Sequence, residues 1–389
     1  MTAIREYLGR NVRQYGIIGA LIVIVLLFQV LTNGRLLMPD NVASLVQQNA
    51  YVMILAIGMV MVIVAGHIDL SVGSVVAFVG GIVAIAMDKW NLPWLLAVLI
   101  GLVVGALVGV WQGYWVAFVG IPAFIVTLAG MLIFRGLAIV LVGTTIAGLP
   151  PGFNAISNGY LGNFLGYVAN RDMLTLTIGA LAIGGLVLTQ FRARATLRKN
   201  DLEVEPMAAM VGKLVLFALL LGFLTWVLSG STGMPIVLVI VGVLILAYTF
   251  VLGRTVFGRH IYAMGGNLNA AIMSGVNTRR VNFGIFVNMG VLAGVAAIVT
   301  TSRAGAGVAA AGDGFELDAI AAAFIGGTAV TGGVGKVSGA MIGALIMGVL
   351  NMGLSIMNVD PSWQKAIKGL VLLAAVAFDL VNKRRAGGR

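Results

Sequence analysis

Few residues in this chain of 389 carry side chains that could do chemistry, and they do not cluster. The sequence holds 13 acidic residues, two histidines and no cysteine. Thiol catalysis, disulfides and cysteine-based metal sites are therefore excluded, and His67 and His260 are too few for a histidine-rich metal site. The closest match to a phosphate-binding loop, TGGVGKVSG at 331–339, has Val337 where the magnesium-binding hydroxyl belongs. We predict no enzyme activity, no metal and no cofactor.

Asp69, in GHIDLSVGS, differs most from the other acidic residues of the chain, because it lies between two short apolar runs. Buried carboxylates in such runs are costly and often functional. Asp69 either caps a helix that begins at Leu70–Ser71, or it lines a polar translocation path together with Ser71 and Ser74. The two roles are compatible.

Two further polar residues lie within apolar runs. Arg135, in GMLIFRGLAIV, must face a carboxylate, backbone carbonyls or water, and we expect a structural salt bridge rather than a substrate contact. Asn351, in GVLNMGLS, either joins two helices by a hydrogen bond or faces the path.

The elements that hold these residues are membrane helices. Hydrophobic residues make up 60% of the chain and charged residues 10%, with a mean hydropathy of +1.07, whereas soluble domains carry about 25% charged residues. Apolar runs recur at roughly 17 to 25 residues, enough to cross a hydrocarbon core of about 30 Å. We predict an all-α polytopic protein of about 10–12 transmembrane helices, forming one domain over 1–389.

The net charge of +11 is explained by membrane orientation rather than by nucleic acid, because the basic residues cluster in a few loops. With both termini in the cytoplasm, 17 basic residues lie inside and 6 outside. The segments at 50–66, 71–87 and 317–331 are short for a full crossing. The predicted spans are 15–32, 50–66, 71–87, 93–119, 123–143, 173–190, 213–229, 233–252, 282–301, 317–331, 337–357 and 363–382.

A short motif occurs twice and suggests an inverted internal repeat. AFVGG at 77–81 returns as AFIGG at 323–327, in spans that we expect to run in opposite directions. A ladder of glycines four residues apart follows each copy, at 101–109 and at 335–343. We expect the ladders to permit close helix packing rather than to contact a substrate.

The loop at 253–281 is longer than a helix connection needs. Within it, NLNAAIMSG predicts a short helix that Asn267 caps and Gly275 ends. Ala270, Ala271 and Met273 would give this helix a small apolar face. Such a face suits docking into a groove of another protein, although a surface helix without a partner would have the same pattern.

The segment GRHIYAMGGNLNAAIMSGV at 258–276 resembles the coupling loop of ATP-binding-cassette sugar importer permeases of the ribose/xylose branch, most like the xylose-type and multiple-monosaccharide permeases. IDLSVGS at 68–74, IPAFIVTLAGMLIFRGLA at 121–138 and the stretch at 316–354 are similar to further signatures of that family. The resemblance implies a homodimer, two copies of a cytoplasmic ATPase and a periplasmic sugar-binding protein. It also implies that residues 265–275 form the coupling helix, and that the coupling residues of this loop are Gly265, Gly266, Asn267, Asn269, Ala270, Ala271, Ser274 and Gly275.

A basic loop at 191–213 departs from the shorter members of that family. We assign it to a solvated cytoplasmic face, with contact to the ATPase left open. The expected function is import of a monosaccharide, xylose or a related aldose, across the bacterial inner membrane. The alternatives are a branched-chain amino-acid permease of the same superfamily and a secondary transporter driven by an ion, for which Asp69 would be the coupling residue.

Overall fold

A computed structural model describes residues 12–202 and 204–387 of the chain. Within these residues the fold is almost entirely helical, which confirms the predicted fold class. The predicted cytoplasmic ends, at 1–11 and 388–389, lie outside the described residues, as does Glu203. In chain order the helices are α1 (Val12–Leu31), α2 (Pro39–Val64), α3 (Val72–Asp88), α4 (Trp94–Tyr114, extended by a π-helical turn at Trp115–Val119), α5 (Ala123–Val142), α6 (Pro151–Asn158), α7 (Met173–Lys199), α8 (Met207–Leu228), α9 (Ile236–Arg254), α10 (Val256–Gly266), α11 (Leu268–Met273), α12 (Thr278–Ala304), α13 (Phe315–Ile325), α14 (Val337–Ile356) and α15 (Pro361–Gly387).

Proline marks where helices begin. Proline lacks the backbone N–H that a first helical turn leaves unpaired anyway, and its φ angle already suits a helix. All eight prolines of the chain lie at the first position of a helix or immediately before it. They are Pro39, Pro93, Pro122, Pro150, Pro151, Pro206, Pro235 and Pro361.

All twelve predicted spans fall on helices. Among the described residues, eight helices are long and apolar enough to cross a membrane: α2, α4, α5, α7, α8, α9, α12 and α14. The segment predicted at 50–66 belongs to a helix of 26 residues, α2, and is a full span. The segment at 317–331 is different, because α13 has 11 residues and reaches only about 16 Å.

Helices α2 and α12 form the centre of the molecule, and each glycine ladder brings two helices close together. A methyl group added at Gly105 of α4 would lie 2.5 Å from the Gly290 carbonyl oxygen of α12. In the second ladder, Gly343 of α14 faces the Ala322 carbonyl of α13 in the same way, and Gly339 faces Gly326 directly after that helix. The predicted role of the ladders in close helix packing is confirmed.

Two ends of the molecule can be told apart by their connections. The connection between α9 and α12, with α10 and α11, defines what we call the loop end. At the opposite end, strand β1 (Thr145–Ala147) pairs antiparallel with β4 (Ala306–Val308). A small hairpin of β2 (Tyr167–Val168) and β3 (Arg171–Asp172) precedes α7.

The short helices α3 and α13 run in opposite directions, and their amino-terminal regions meet. Gly73, in the first turn of α3, lies directly against the backbone of Gly312, which precedes α13. Helix α3 continues toward β4, whereas α13 leads to the turn at 326–336, whose Gly333 N–H donates to the Val64 carbonyl at 2.8 Å. The opposite directions match the predicted inverted repeat. The repeated motif does not, because AFVGG lies inside α3 and AFIGG spans the end of α13.

The predicted loop at 191–213 is mostly helical. Helix α7 continues to Lys199 and α8 begins at Met207, so the connecting turn is only 200–206. The sequence suggested a loop because a run of arginines followed the apolar stretch, but arginine and lysine are good helix formers. At the other end of α7, the buried Asp172 carboxylate caps the helix by accepting from the Leu174 N–H at 3.2 Å and the Thr175 N–H at 3.1 Å.

Candidate functional site

The predicted short helix of the loop end is present as α11. Asn267 caps it, with its side-chain oxygen accepting from the Ala270 N–H at 3.0 Å. Gly275 ends it with a φ of +82°, a conformation that residues other than glycine rarely adopt. Both roles were predicted, and both are confirmed.

The exposed apolar face of α11 differs from the predicted one, because Ile272 is exposed in place of Ala271. Met273 is 90% exposed and Ile272 51% exposed, and Ala270 is also open. Ala271, which we expected on the same face, is only 4% exposed and packs into the molecule. Successive residues of a helix point about 100° apart, so Ala271 can face the bundle while Ala270 faces outward. The remaining predicted coupling residues Gly266, Asn267, Asn269, Ser274 and Gly275 are exposed.

Gly265 ties the loop end to two other elements. Its Cα lies directly against the Val64 carbonyl at the end of α2, and a methyl group added there would be 2.6 Å from the Gly333 nitrogen in the α13–α14 turn. From the same helix, the Tyr262 hydroxyl donates to the Gly335 carbonyl at 2.7 Å. Sequence reasoning missed these contacts, since Tyr262 and Gly335 are 73 residues apart.

Asp69 closes the turn that leads into α3. Its carboxylate accepts from the Ser71 N–H at 2.8 Å and the Ser71 hydroxyl at 2.6 Å, and the Gln112 side chain donates to that hydroxyl at 2.6 Å. The helix itself begins at Val72, slightly later than predicted. Asp69 and Ser74 are each 1% exposed and Ser71 is inaccessible, so in this conformation they face the interior of the bundle. Their assignment to a translocation path stays a prediction.

Asn351 connects two helices. Its side-chain amide donates to the Asn49 side-chain oxygen at 2.9 Å, across the contact between α14 and α2. This is the helix-joining role that the sequence left open. A role of Asn351 in a path stays a prediction.

The salt bridge expected for Arg135 is replaced by backbone carbonyls. Its guanidinium donates to the Ala309 carbonyl at 3.0 Å and to the Ala311 carbonyl at 2.7 Å. The backbone carbonyls of the loop at 309–314 can accept these hydrogen bonds because the loop belongs to no helix. Arg135 therefore holds this loop at the amino-terminal end of α13.

Carboxylates lie at both places where α3 and α13 begin. Glu316, in the first turn of α13, places a carboxylate oxygen against Gly73 in the first turn of α3. Asp318 accepts from the Tyr51 hydroxyl at 2.6 Å and from the Lys368 ammonium at 3.1 Å, with its side chain only 3% exposed. A negative charge near a helix amino terminus is favourable. The partners of Asp318 could not be recognised from the sequence, because Tyr51 is 267 residues away and Lys368 50 residues away.

A cavity of about 450 Å³ opens near the loop end, beneath the turn between α2 and α3. In its wall, the His67 Nε2 and the Asn282 side-chain oxygen are hydrogen-bonded at 3.0 Å. The other walls come from the α4–α5 turn. Sequence analysis singled out neither residue for this site.

Comparison with known proteins identifies a family for this sequence. Residues 41–376 match the sequence model of the family described as branched-chain amino acid transport system / permease component. The chain belongs to this permease family. The proteins of this family are transport permeases and not enzymes.

Relatives within this permease family match nearly the whole chain. The xylose transport system permease protein XylH of Escherichia coli (strain K12) is 42% identical over 377 residues, which cover 96% of this chain and 93% of the relative. XylH of Haemophilus influenzae is 39% identical over 96% of this chain and 98% of its own length. The ribose import permease protein RbsC of Escherichia coli (strain K12) is 31% identical over 89% of this chain and 87% of its own length. No solved structure matches the chain.

Proposed function

We propose that this permease is the membrane subunit of an ATP-driven importer for a neutral monosaccharide, with xylose as the first candidate. The observation that best supports this proposal is the position of α11. Ile272 and Met273 form an exposed apolar surface on α11, and Gly265, just before this helix, contacts the end of α2 and the α13–α14 turn. A partner that pushes on this surface would move both elements. Xylose comes before ribose because the xylose permease relatives are 39–42% identical and the ribose relative 31%.

The amino termini of the short helices favour a neutral substrate. In several transporters, broken helices near the membrane centre direct their positive amino termini at an anionic group of the substrate. Here Asp69 and Glu316 supply negative charge to the start of α3, and Asp318 to the start of α13. A free amino acid would have to place its carboxylate where the protein already places its own. This argues against a branched-chain amino acid as the substrate, despite the name of the family.

An ion-coupled mechanism is also disfavoured. A coupling carboxylate must be reachable by its proton or sodium ion from each side in turn. Asp69, the candidate, is 1% exposed and hydrogen-bonded within its own turn. We assign it to positioning α3.

The assembly follows from the same proposal. The loop end faces the cytoplasm of a bacterial inner membrane, both termini are cytoplasmic, and two copies of the chain form the channel. Two ATPase subunits bind at α11, and a periplasmic sugar-binding protein delivers the sugar at the opposite end. ATP binding closes the ATPase pair, and this change drives the permease because the two permease conformations bind the closed pair with different affinity.

The test is uptake of labelled xylose, ribose and leucine by proteoliposomes that contain the permease, its ATPase and its sugar-binding protein. We expect uptake of xylose that requires both partners and ATP, and no uptake of leucine. Met273→Glu should abolish ATPase binding and uptake while the protein still inserts, because it places a charge on the apolar docking surface. Ala271→Glu would be a poor choice, since Ala271 is buried.

Met273→Leu is the matched control, because it keeps an apolar side chain of similar volume at the same exposed position. It should leave uptake unchanged. Uptake that needs neither partner and instead follows a proton or sodium gradient would overturn the proposal. Normal ATPase binding by the Met273→Glu variant would overturn the role of α11.

A further inference from the structure

The cavity near the loop end is built from three connections of the bundle. Its walls come from the α2–α3 turn, the α4–α5 turn and the first turns of α12. Gly66 and Gly120 both have a φ near +85° (86° and 83°), so each turn bends sharply away from the helix before it. The space between them is therefore formed by the backbone and does not depend on one side-chain rotamer.

The lining has the chemistry of a site for an uncharged polar molecule. Its described lining residues include no aspartate, glutamate, lysine or arginine, which argues against a site built for an ion. His67 and Asn282 are hydrogen-bonded to each other at 3.0 Å, and their other polar atoms, the second imidazole nitrogen and the Asn282 amide nitrogen, can bond a ligand. Val116, Ile121 and Phe124 give an apolar wall. A volume of about 450 Å³ falls in the usual range of ligand pockets, about 300–1,000 Å³.

The cavity lies between the turn that leads into α3 and the start of α12, which follows the docking helix α11. His67 is two residues from Asp69, in the turn that leads into α3. Asn282 lies in the first turns of α12, which follows α11 after a connection of only four residues, 274–277. A movement of α11 would therefore shift Asn282 relative to His67 and change the width of the cavity.

We propose that this cavity is the last binding site of the sugar before it leaves the permease, with His67 and Asn282 as its hydrogen-bonding residues. The ligand class is a neutral monosaccharide, held by hydroxyl hydrogen bonds at the polar pair and by its apolar face at Ile121 and Phe124. This inference rests on the proposed function, because it places within that importer the site from which the cytoplasm receives the sugar.

The test uses the absence of cysteine in the chain, which makes any introduced thiol unique. Ile121→Cys places a thiol in the cavity wall, and Met273→Cys places one on α11, outside the cavity. Each variant is labelled with a water-soluble maleimide in inside-out vesicles, with xylose, leucine or the ATPase subunit added. We expect xylose to slow labelling at Ile121→Cys several-fold and to leave Met273→Cys unchanged, whereas leucine protects neither.

The outcomes separate the two proposals. If the ATPase protects Met273→Cys but xylose never protects Ile121→Cys, the cavity proposal is wrong and the importer stands. If xylose protects Ile121→Cys but the ATPase does not protect Met273→Cys, the cavity binds sugar and the importer proposal is wrong. Phe124→Cys, at a residue 57% exposed in the same wall, repeats the sugar test should Ile121→Cys insert poorly.

A second variant tests the polar pair itself. Asn282→Ala, combined with Ile121→Cys, should raise the xylose concentration for half protection about 2- to 10-fold, as expected for one lost hydrogen bond. Asn288→Ala is the matched control, since Asn288 lies on the same helix but not in the cavity wall. Equal shifts in both variants would show that the asparagine acts on the helix and not on the sugar.

Discussion

At the residue scale, two lysines on one helix make similar ion pairs in different surroundings. Lys365 binds Asp313 at 2.7 Å, and both side chains are about two-thirds exposed (70% and 67%). Lys368 binds Asp318 at 3.1 Å, where the carboxylate is 3% exposed. An exposed pair contributes about 0–1 kcal/mol, whereas removing one partner of a buried pair costs about 3–5 kcal/mol because the other charge is left buried.

Lys368→Met should therefore lower the melting temperature of the detergent-solubilised permease markedly, and Lys365→Met should hardly change it. The Tyr51 hydroxyl still donates to Asp318 in the variant, so the loss should lie at the low end of the range, about 3 kcal/mol. Thermal unfolding of the two variants, measured in parallel, checks this. Equal effects of the two substitutions would mean that Asp318 is not buried as described.

Glycines provide a second comparison at this scale. Gly105→Ala would push a methyl group to within 2.5 Å of the Gly290 carbonyl, and such overpacking costs about 1–3 kcal/mol. Gly184→Ala in α7 has no atom within 4 Å of the new methyl group and should be neutral or stabilising, by up to about 1 kcal/mol. Melting temperatures of both variants decide whether the α4–α12 contact is as close as the structure places it.

Sequence patterns revealed residues whose role is local. Asn267 and Gly275 were recognised because a cap and a stop act on the nearest turn of the chain. Ala271 could not be distinguished from Ala270, because nothing in the sequence says which side of α11 faces the bundle. Arg135 was assigned a carboxylate on general grounds, but its partners are carbonyls 174 and 176 residues away.

At the element scale, the important features are helices that stop early. The sequence placed a span at 317–331 because the apolar run continues through the glycines after Ile325, and hydropathy alone does not register that glycine ends a helix. The structure ends α13 at Ile325 and uses the following turn to reach α2 and α10. The same turn contains the near match to a phosphate loop, whose glycines serve close backbone contact instead.

At the same scale, the hydrogen bond of Tyr262 is the contact between α10 and the α13–α14 turn that can be removed with the smallest change in structure. Tyr262→Phe removes only the hydroxyl that donates to Gly335, and one such bond contributes about 0.5–1.5 kcal/mol. We expect the variant to bind the ATPase normally but to transport about 2- to 10-fold less xylose per ATP hydrolysed. The measurement is the ratio of uptake to phosphate release in the same proteoliposomes.

Tyr248→Phe is the control for this experiment. The Tyr248 hydroxyl donates to Asn288, between α9 and α12, and does not touch the α13–α14 turn. It should leave the ratio of uptake to ATP hydrolysis unchanged. A normal ratio in Tyr262→Phe would mean that the contact of Gly265 with α2 is sufficient for coupling.

At the scale of the whole molecule, orientation is the property on which the proposed function depends. The loop end holds Arg254, Arg259, Arg279, Arg280 and Lys336 among its described residues. Loops rich in lysine and arginine remain on the cytoplasmic side of the membrane. We therefore predict that the loop end is cytoplasmic. The two ends of the fold could be distinguished only once the helix contacts were known.

This orientation predicts which thiols a membrane-impermeant maleimide can reach. Phe164→Cys lies between α6 and α7 at the opposite end, where Phe164 is 79% exposed, and Met273→Cys lies at the loop end, where Met273 is 90% exposed. In spheroplasts, Phe164→Cys should react and Met273→Cys should not. In inside-out vesicles the two should exchange roles. The reverse pattern would place α11 where no ATPase could bind it, and the importer proposal would fail whatever sugar the protein binds.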